Sequence, residues 1–176
     1  MVGRGLFSGT TDTAFVPDTA MTRGMLVTTL GRLSGADVSN YKTSSFTDVK
    51  AESAFLPYIE WAYTKGIIHG IGNEMFAPDR LITREEIALI LQNYATATEY
   101  TFPVIRETIS FADNSSIGSS YRDAVKAMQQ AGIMIGDNNN KFNPKAGATR
   151  AEAASMLHRY IKLTIAPLNN TGLGEE

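Results

Sequence analysis

The chain has 176 residues, enough for about one domain, and 43% of them are apolar, which supports a real hydrophobic core. Its 16 Lys and Arg residues against 18 Asp and Glu give a net charge of −2, so there is no overall basic field to attract nucleic acid. The absence of cysteine excludes disulfides, thiolate metal sites and cysteine nucleophiles. No apolar run reaches the roughly 18 residues of a membrane span, and residues 1–10 do not resemble a signal peptide. We expect either a cytosolic protein or a piece of a longer, exported chain.

One spacing pattern, G-x3-G-x5-F-x-P-x4-T-R, occurs three times. An apolar stripe at helical spacing follows each Thr-Arg pair, which predicts that a helix begins there. Before the glycine pair, the second and third copies share an F-x-D sequence and a further helical segment, at residues 54–65 and 120–131. The matched positions are Gly5, Gly9, Phe15, Pro17, Thr22 and Arg23, then Gly66, Gly70, Phe76, Pro78, Thr83 and Arg84, then Gly132, Gly136, Phe142, Pro144, Thr149 and Arg150.

Gly66 and Gly132 stand where a helix should end, since glycine adopts the left-handed conformation at little cost. Each unit is therefore predicted to be a helix, a glycine turn, a loop and a second helix. The first copy lacks the F-x-D sequence and its leading helix. We expect a chain that was cut inside its first unit, or a partner that supplies the missing helix.

In the second and third copies the residues around the Thr-Arg pair match the S/T-x-x-E capping box, in which threonine and glutamate satisfy each other's backbone amides. The first copy reads Thr22-Arg23-Gly24-Met25 and so lacks the glutamate. We predict structural helix caps at Thr22, Thr83, Glu86, Thr149 and Glu152.

The three arginines are harder to explain by helix stability, because a cation in the first turn opposes the helix dipole. A guanidinium beside free helix-opening amides is suited to gripping one carboxylate. We predict that Arg23, Arg84 and Arg150 contact an anionic ligand. The alternative is an ion pair within the protein, for example with Asp48 or Asp113.

Aromatic rings can stack on sugars, and the helical spacing of residues 54–65 turns Trp61 toward the edge of the apolar face. Trp61 is therefore a candidate ligand contact, with packing between helices as the equal alternative. The two histidines, His69 and His158, lie in no metal-binding motif, and no nucleophile elbow is present. We predict no catalytic residue, no metal site and no cofactor.

With these motifs, the chain resembles the surface-layer homology (SLH) family of bacterial envelope proteins from Gly5 to Ile161. The resemblance rests on the F-x-D sequence, the G-I-x-x-G turns at 66–70 and 132–136, the F-x-P loop and T-R-x-E at 83–86 and 149–152. It implies an all-α fold in which three helix-loop-helix repeats form a pseudo-threefold prism around a central three-helix bundle. The repeats would span residues 1–45 (truncated), 46–110 and 111–163, followed by a tail at 164–176.

The resemblance also implies a function, namely non-covalent anchoring of a larger surface protein to the cell wall. The ligand would be a pyruvylated secondary polysaccharide attached to peptidoglycan, held in grooves between repeats with the T-R-x-E arginine on the ketal carboxylate. The implied location is extracellular, in the bacterial cell envelope or S-layer, with no nucleic acid partner and no membrane span. The alternative is a protein-interaction or assembly module of a surface protein.

Overall fold

The structure, a computed structural model, describes residues 17–165. This part of the chain forms helices joined by loops, with no strand, and the predicted all-α fold is confirmed. Gly5, Gly9 and Phe15 of the first repeat, and the tail after Ile165, lie outside the described residues. The α-helices are α1 (Arg23–Leu33), α2 (Leu56–Thr64), α3 (Arg84–Ala97), α4 (Arg122–Gln130) and α5 (Arg150–Ile165), and two short 3-10 helices span Asn114–Ser116 and Ser119–Tyr121.

The helices α1, α3 and α5, which we call the signature helices, each begin at the arginine of a Thr-Arg pair. The Thr22 hydroxyl accepts a hydrogen bond from the Met25 amide at 3.2 Å. At α3 the Thr83 hydroxyl accepts from the Glu86 amide, and the Glu86 carboxylate accepts from the Thr83 amide at 3.0 Å, which completes a capping box. Thr149 and Glu152 exchange the same two bonds at the start of α5.

The glycines Gly66 and Gly132 end the leading helices α2 and α4. Both have φ of 70°, the left-handed conformation that the sequence predicted for them. The Gly66 amide donates to the carbonyl of Tyr63, and the next amide donates to Ala62, so the last helical carbonyls are satisfied.

The signature helix of one repeat packs against the leading helix of the next repeat, α1 on α2 and α3 on α4. Gly24 makes the close approach of α1 possible, because a Cβ at this position would lie 2.6 Å from the ring of Phe55. Consecutive repeats therefore interlock instead of forming separate units.

Three buried residues that precede the Thr-Arg pairs connect the repeats in a closed ring of backbone hydrogen bonds. The Met21 amide donates to Ala148, the Ala148 amide to Ile82, and the Ile82 amide to Met21, at 2.8, 3.1 and 2.9 Å. All three side chains are at most 1% exposed. The third repeat thus returns to the first, and the loops relate the three signature helices cyclically.

The core contains the phenylalanines of the repeated motifs. Phe76 and Phe142 of the F-x-P loops are fully buried, and each packs on the F-x-D phenylalanine of its own repeat, Phe46 or Phe111. Within residues 17–165, no helix combines the length and the apolar character that crossing a bilayer would need.

Candidate functional site

The first backbone amides of each signature helix are bonded to the F-x-P loop of the following repeat. At α3 the amides of Arg84 and Glu85 donate to the carbonyls of Ala146 and Pro144 at 3.0 and 3.1 Å. The expectation of free helix-opening amides was wrong, because these loops already fill that position. The equivalent bonds join Arg23 to Arg80 and Gly24 to Pro78 at α1, and Arg150 to Thr19 and Ala151 to Pro17 at α5.

Arg23 is 5% exposed and uses all three of its guanidinium nitrogens within the protein. Its Nε donates to the carbonyl of Phe76 at 2.9 Å and its Nη2 to that of His69 at 3.4 Å. Its Nη1 lies 3.2 Å from the carboxylate of Glu86. The guanidinium also stacks over the Phe76 ring at 4.5 Å, so Arg23 is fixed on every side.

Glu86 is held by two guanidiniums and a backbone amide at once. Arg80 donates to the same carboxylate oxygen that faces Arg23, at 2.6 Å, while the second oxygen caps Thr83. Burial favours the neutral acid, but the Thr83 amide, Arg80 and Arg23 outweigh it and lower the pKa of Glu86. We call the group of Arg23, Arg80, Glu86 and Asn93, which lines one groove, the Arg23 site.

Arg84 is fastened to the third repeat as Arg23 is to the second. Its Nε donates to the carbonyl of Phe142 at 2.8 Å, its Nη2 donates to that of Ile135 at 3.2 Å, and it stacks over the Phe142 ring at 5.2 Å. Unlike Arg23 it is only half-buried. No carboxylate of the described residues pairs with Arg84 within 4.0 Å.

Arg150 is 6% exposed, and burial lowers the pKa of its guanidinium. Its loop counterpart in the first repeat, Phe15, lies outside the described residues. The three arginines therefore occupy equivalent helix starts in different surroundings.

The alternative of an ion pair with Asp48 or Asp113 is not what the structure contains. Asp48 accepts from the consecutive amides of Phe76 and Ala77 at 2.8 and 2.7 Å. In the third repeat, Asp113 accepts in the same way from the amides of Phe142 and Asn143, both at 2.8 Å. The internal ion pair that does form joins Arg23 to Glu86.

This role of the F-x-D aspartate was missed at the level of sequence. Ala77 and Asn143 have φ of 57° and 56°, so the F-x-P loop needs an acceptor that stabilises a strained turn. The available signal was the similar spacing of the aspartate and the loop phenylalanine, 28 residues between Asp48 and Phe76 and 29 between Asp113 and Phe142.

Trp61 lies between α1 and α2 and is 7% exposed. Its ring approaches Gly31, where an added Cβ would be 3.5 Å away. Packing between helices, the alternative that the sequence left open, describes this position, so the ligand contacts proposed below are arginines.

The described residues contain no cluster of three His, Asp or Glu side chains that could hold a metal ion. Glu85, the acidic neighbour of Glu86, forms an ion pair with Lys145 and accepts from the Gly118 amide at 2.9 Å. The arrangement can bind an anion through guanidinium groups.

The sequence model of the S-layer homology domain matches residues 45–88 and 110–154. An amylopullulanase of Thermoanaerobacterium thermosulfurigenes is 36% identical over 163 residues, which are 92% of this chain and 9% of that protein. Exoglucanase XynX of Acetivibrio thermocellus is 35% identical over 163 residues, 92% of this chain and 15% of that protein. An S-layer protein of Bacillus thuringiensis subsp. finitimus is 31% identical over 120 residues, 68% of this chain and 14% of that protein. The chain thus spans a small part of each of these relatives.

Proposed function

The chain belongs to the S-layer homology domain family, and from that premise we propose that it anchors a larger protein to the bacterial cell wall by binding a pyruvylated polysaccharide. The family is a non-catalytic anchoring module found at the cell surface. Enzyme relatives share only this region with the chain, so their catalytic names describe other parts of those proteins.

The observation that carries the ligand proposal is that two guanidiniums are held by matching hydrogen bonds to backbone carbonyls. Arg23 and Arg84 each donate to an F-x-P phenylalanine carbonyl and to a carbonyl of the preceding glycine turn. A guanidinium held in this way loses little conformational freedom when it binds a carboxylate. A pyruvate ketal on a wall polysaccharide supplies such a carboxylate.

A polymeric ligand also suits a rigid body in which the arginine of the Thr-Arg pair is repeated. Once one carboxylate is bound, a second contact is intramolecular, so weak sites can give strong attachment together. We propose Arg84 and Arg150 as the principal contacts and Arg23 as a weaker third.

The test is co-sedimentation of the chain with peptidoglycan that carries its secondary polysaccharide. Peptidoglycan stripped of the polymer is the control surface. We expect binding to the first preparation and loss of that binding in the double variant Arg84→Ala and Arg150→Ala. Circular dichroism of the variant shows whether it still folds. Equal binding to stripped peptidoglycan would contradict the proposal.

The second candidate, a protein-interaction module, is favoured by one feature of α5. On α1 the face that contains Gly31 is covered by the ring of Tyr58 on α2. The matching position of α5 is His158, whose side chain is exposed. A partner helix could pack on that face. Sedimentation velocity separates the candidates, because a stable oligomer without glycan supports assembly and a monomer argues against it.

A further inference from the structure

The two arginine sites differ in whether the protein already supplies a carboxylate. At the Arg23 site, Nη1 of Arg23 is occupied by Glu86, which Arg80 holds in place. At Arg84 the corresponding nitrogen, Nη1, has no partner among residues 17–165. Glu86 therefore stands at Arg23 where a ligand carboxylate could stand at Arg84.

The difference follows from one residue of the F-x-P loop. The position that holds Arg80 in the second repeat holds Ala146 in the third. Because no guanidinium at position 146 attracts the capping glutamate toward Arg84, the Glu152 carboxylate accepts only from the Thr149 amide among the described residues, at 2.8 Å. Its side chain stays exposed. Arg84 therefore keeps one donor nitrogen available.

A second substitution adds a cation beside Arg84. Asn93 of α3 donates to the carbonyl of Ile67 at 3.1 Å, and Arg159 of α5, at the matching position, donates to that of Ile133 at 3.1 Å. Arg84 donates to Ile135 of the same turn, so the two guanidiniums bind carbonyls two residues apart. Arg159 is exposed. Burial is the main cause that lowers the pKa of Arg84, and the positive charge of Arg159 lowers it further.

The acidic groups near Arg84 are engaged elsewhere. Burial lowers the pKa of Arg84, and the charges of Glu152, Asp137 and Asp113 only partly oppose this effect. None of the three carboxylates pairs with Arg84 within 4.0 Å. Asp113 and Asp137 accept backbone amides of the turn and loop. Their longer-range charges are screened by water more than a direct contact is.

We propose that the ketal carboxylate binds first at the Arg84 site, formed by Arg84 and Arg159, and that Glu86 with Arg80 competes with it at the Arg23 site, which makes Arg23 the weaker contact. This inference rests on the proposed function and ranks the sites within it. Arg159 becomes a ligand contact that the repeat motif does not include. Ala146 becomes the residue that keeps the site open.

The test is calorimetric titration with a methyl hexopyranoside that carries a cyclic pyruvate ketal. The methyl ester of its carboxylate is the uncharged control. Ala146→Arg recreates Arg80 at the exposed position 146 and should draw Glu152 onto Arg84. We expect binding to weaken about tenfold, as for the loss of one hydrogen bond to a charged group, although the variant gains a positive charge.

Two further variants complete the test without disturbing the loop contacts of Arg84. Arg159→Asn copies Asn93, keeps a donor for Ile133 and should weaken binding about threefold to fivefold. Arg80→Ala removes the guanidinium that helps to hold Glu86 against Arg23, so binding should equal or exceed that of the wild type. Circular dichroism confirms that each variant folds.

The outcomes separate this inference from the function on which it rests. Unchanged or stronger binding by Ala146→Arg, together with unchanged binding by Arg159→Asn, overturns the site assignment while the proposed function stands. If the wild type does not distinguish the ketal from its ester, the proposed function fails and the inference fails with it.

Discussion

The Nε of Arg84 donates to the carbonyl oxygen of Phe142 at 2.8 Å and so ties the first turn of α3 to a loop of the next repeat. Arg23 makes the same bond to Phe76 at 2.9 Å. The arginine that the sequence assigned to a ligand is therefore also a link between repeats. Its unfavourable position against the helix dipole is offset by this tertiary contact.

Arg84→Ala should destabilise the fold as well as remove a ligand contact. The variant loses two charge-assisted hydrogen bonds and the contact with the Phe142 ring. We expect the free energy of unfolding to fall by about 2–4 kcal/mol in urea titrations followed by circular dichroism. Arg84→Lys should lose about half as much. A loss below about 0.5 kcal/mol for the alanine variant would show that the bonds to Phe142 and Ile135 do not matter for stability.

Asp48→Ala should weaken the F-x-P loop of the second repeat. Its carboxylate accepts from two consecutive amides at a position where Ala77 has φ of 57°. Loss of both acceptor bonds should cost about 2–4 kcal/mol of unfolding free energy, measured in urea. Asp113→Ala is the matched variant and should behave alike. A large effect in one repeat and none in the other would contradict an equivalent role.

Gly70→Ala should be more destabilising than Gly136→Ala, although both are the second glycine of a turn. A Cβ at Gly70 would lie 2.8 Å from the carbonyl oxygen of Met75, which is backbone and cannot easily move. At Gly136 the nearest atoms are the Phe111 ring at 3.1 Å and the Lys141 carbonyl at 3.4 Å. We expect a loss of about 1–3 kcal/mol for Gly70→Ala in thermal or urea unfolding. Equal losses would mean that this contact is not the reason for the glycine.

The stability that Glu86 contributes should depend on pH. Its folded-state pKa is lowered from the ordinary 4.5, so its contribution is complete above that value and is lost as pH falls through the folded pKa. Glu86→Gln keeps a capping side chain but removes the charge facing Arg23 and Arg80. The wild type should exceed this variant by about 1–3 kcal/mol near neutral pH, and the difference should vanish in acid. The unfolding free energies of both proteins, measured in parallel from about pH 7 to about pH 3, decide the matter. A difference that is independent of pH would exclude the charge as its source.

The repeats, the helix starts and the left-handed Gly66 and Gly132 could be predicted because each depends on nearby residues. The insertion of one repeat's loop into the next could not, since spacing alone does not say which loop meets which helix. For this reason the amides of Arg84 and Glu85 were expected to be free, although Ala146 and Pro144 cap them.

The same limit applies to the arginine sites. The motif makes Arg23 and Arg84 look equivalent, and only their neighbours in space distinguish them. Glu86 is a helix cap in the sequence and, in the structure, also the counter-ion of Arg23. The position of Trp61 depends on how closely α1 approaches α2. Gly31 allows this close approach, because a Cβ there would clash with the Tyr58 ring.

Co-sedimentation with wall polysaccharide before and after mild acid removes its pyruvate ketals tests the central claim most directly. Acid takes away the carboxylate and leaves the sugar backbone in place. We predict that the chain binds the untreated polymer and loses most of this binding after treatment. Binding that survives the removal of the ketals would contradict carboxylate recognition by the arginines.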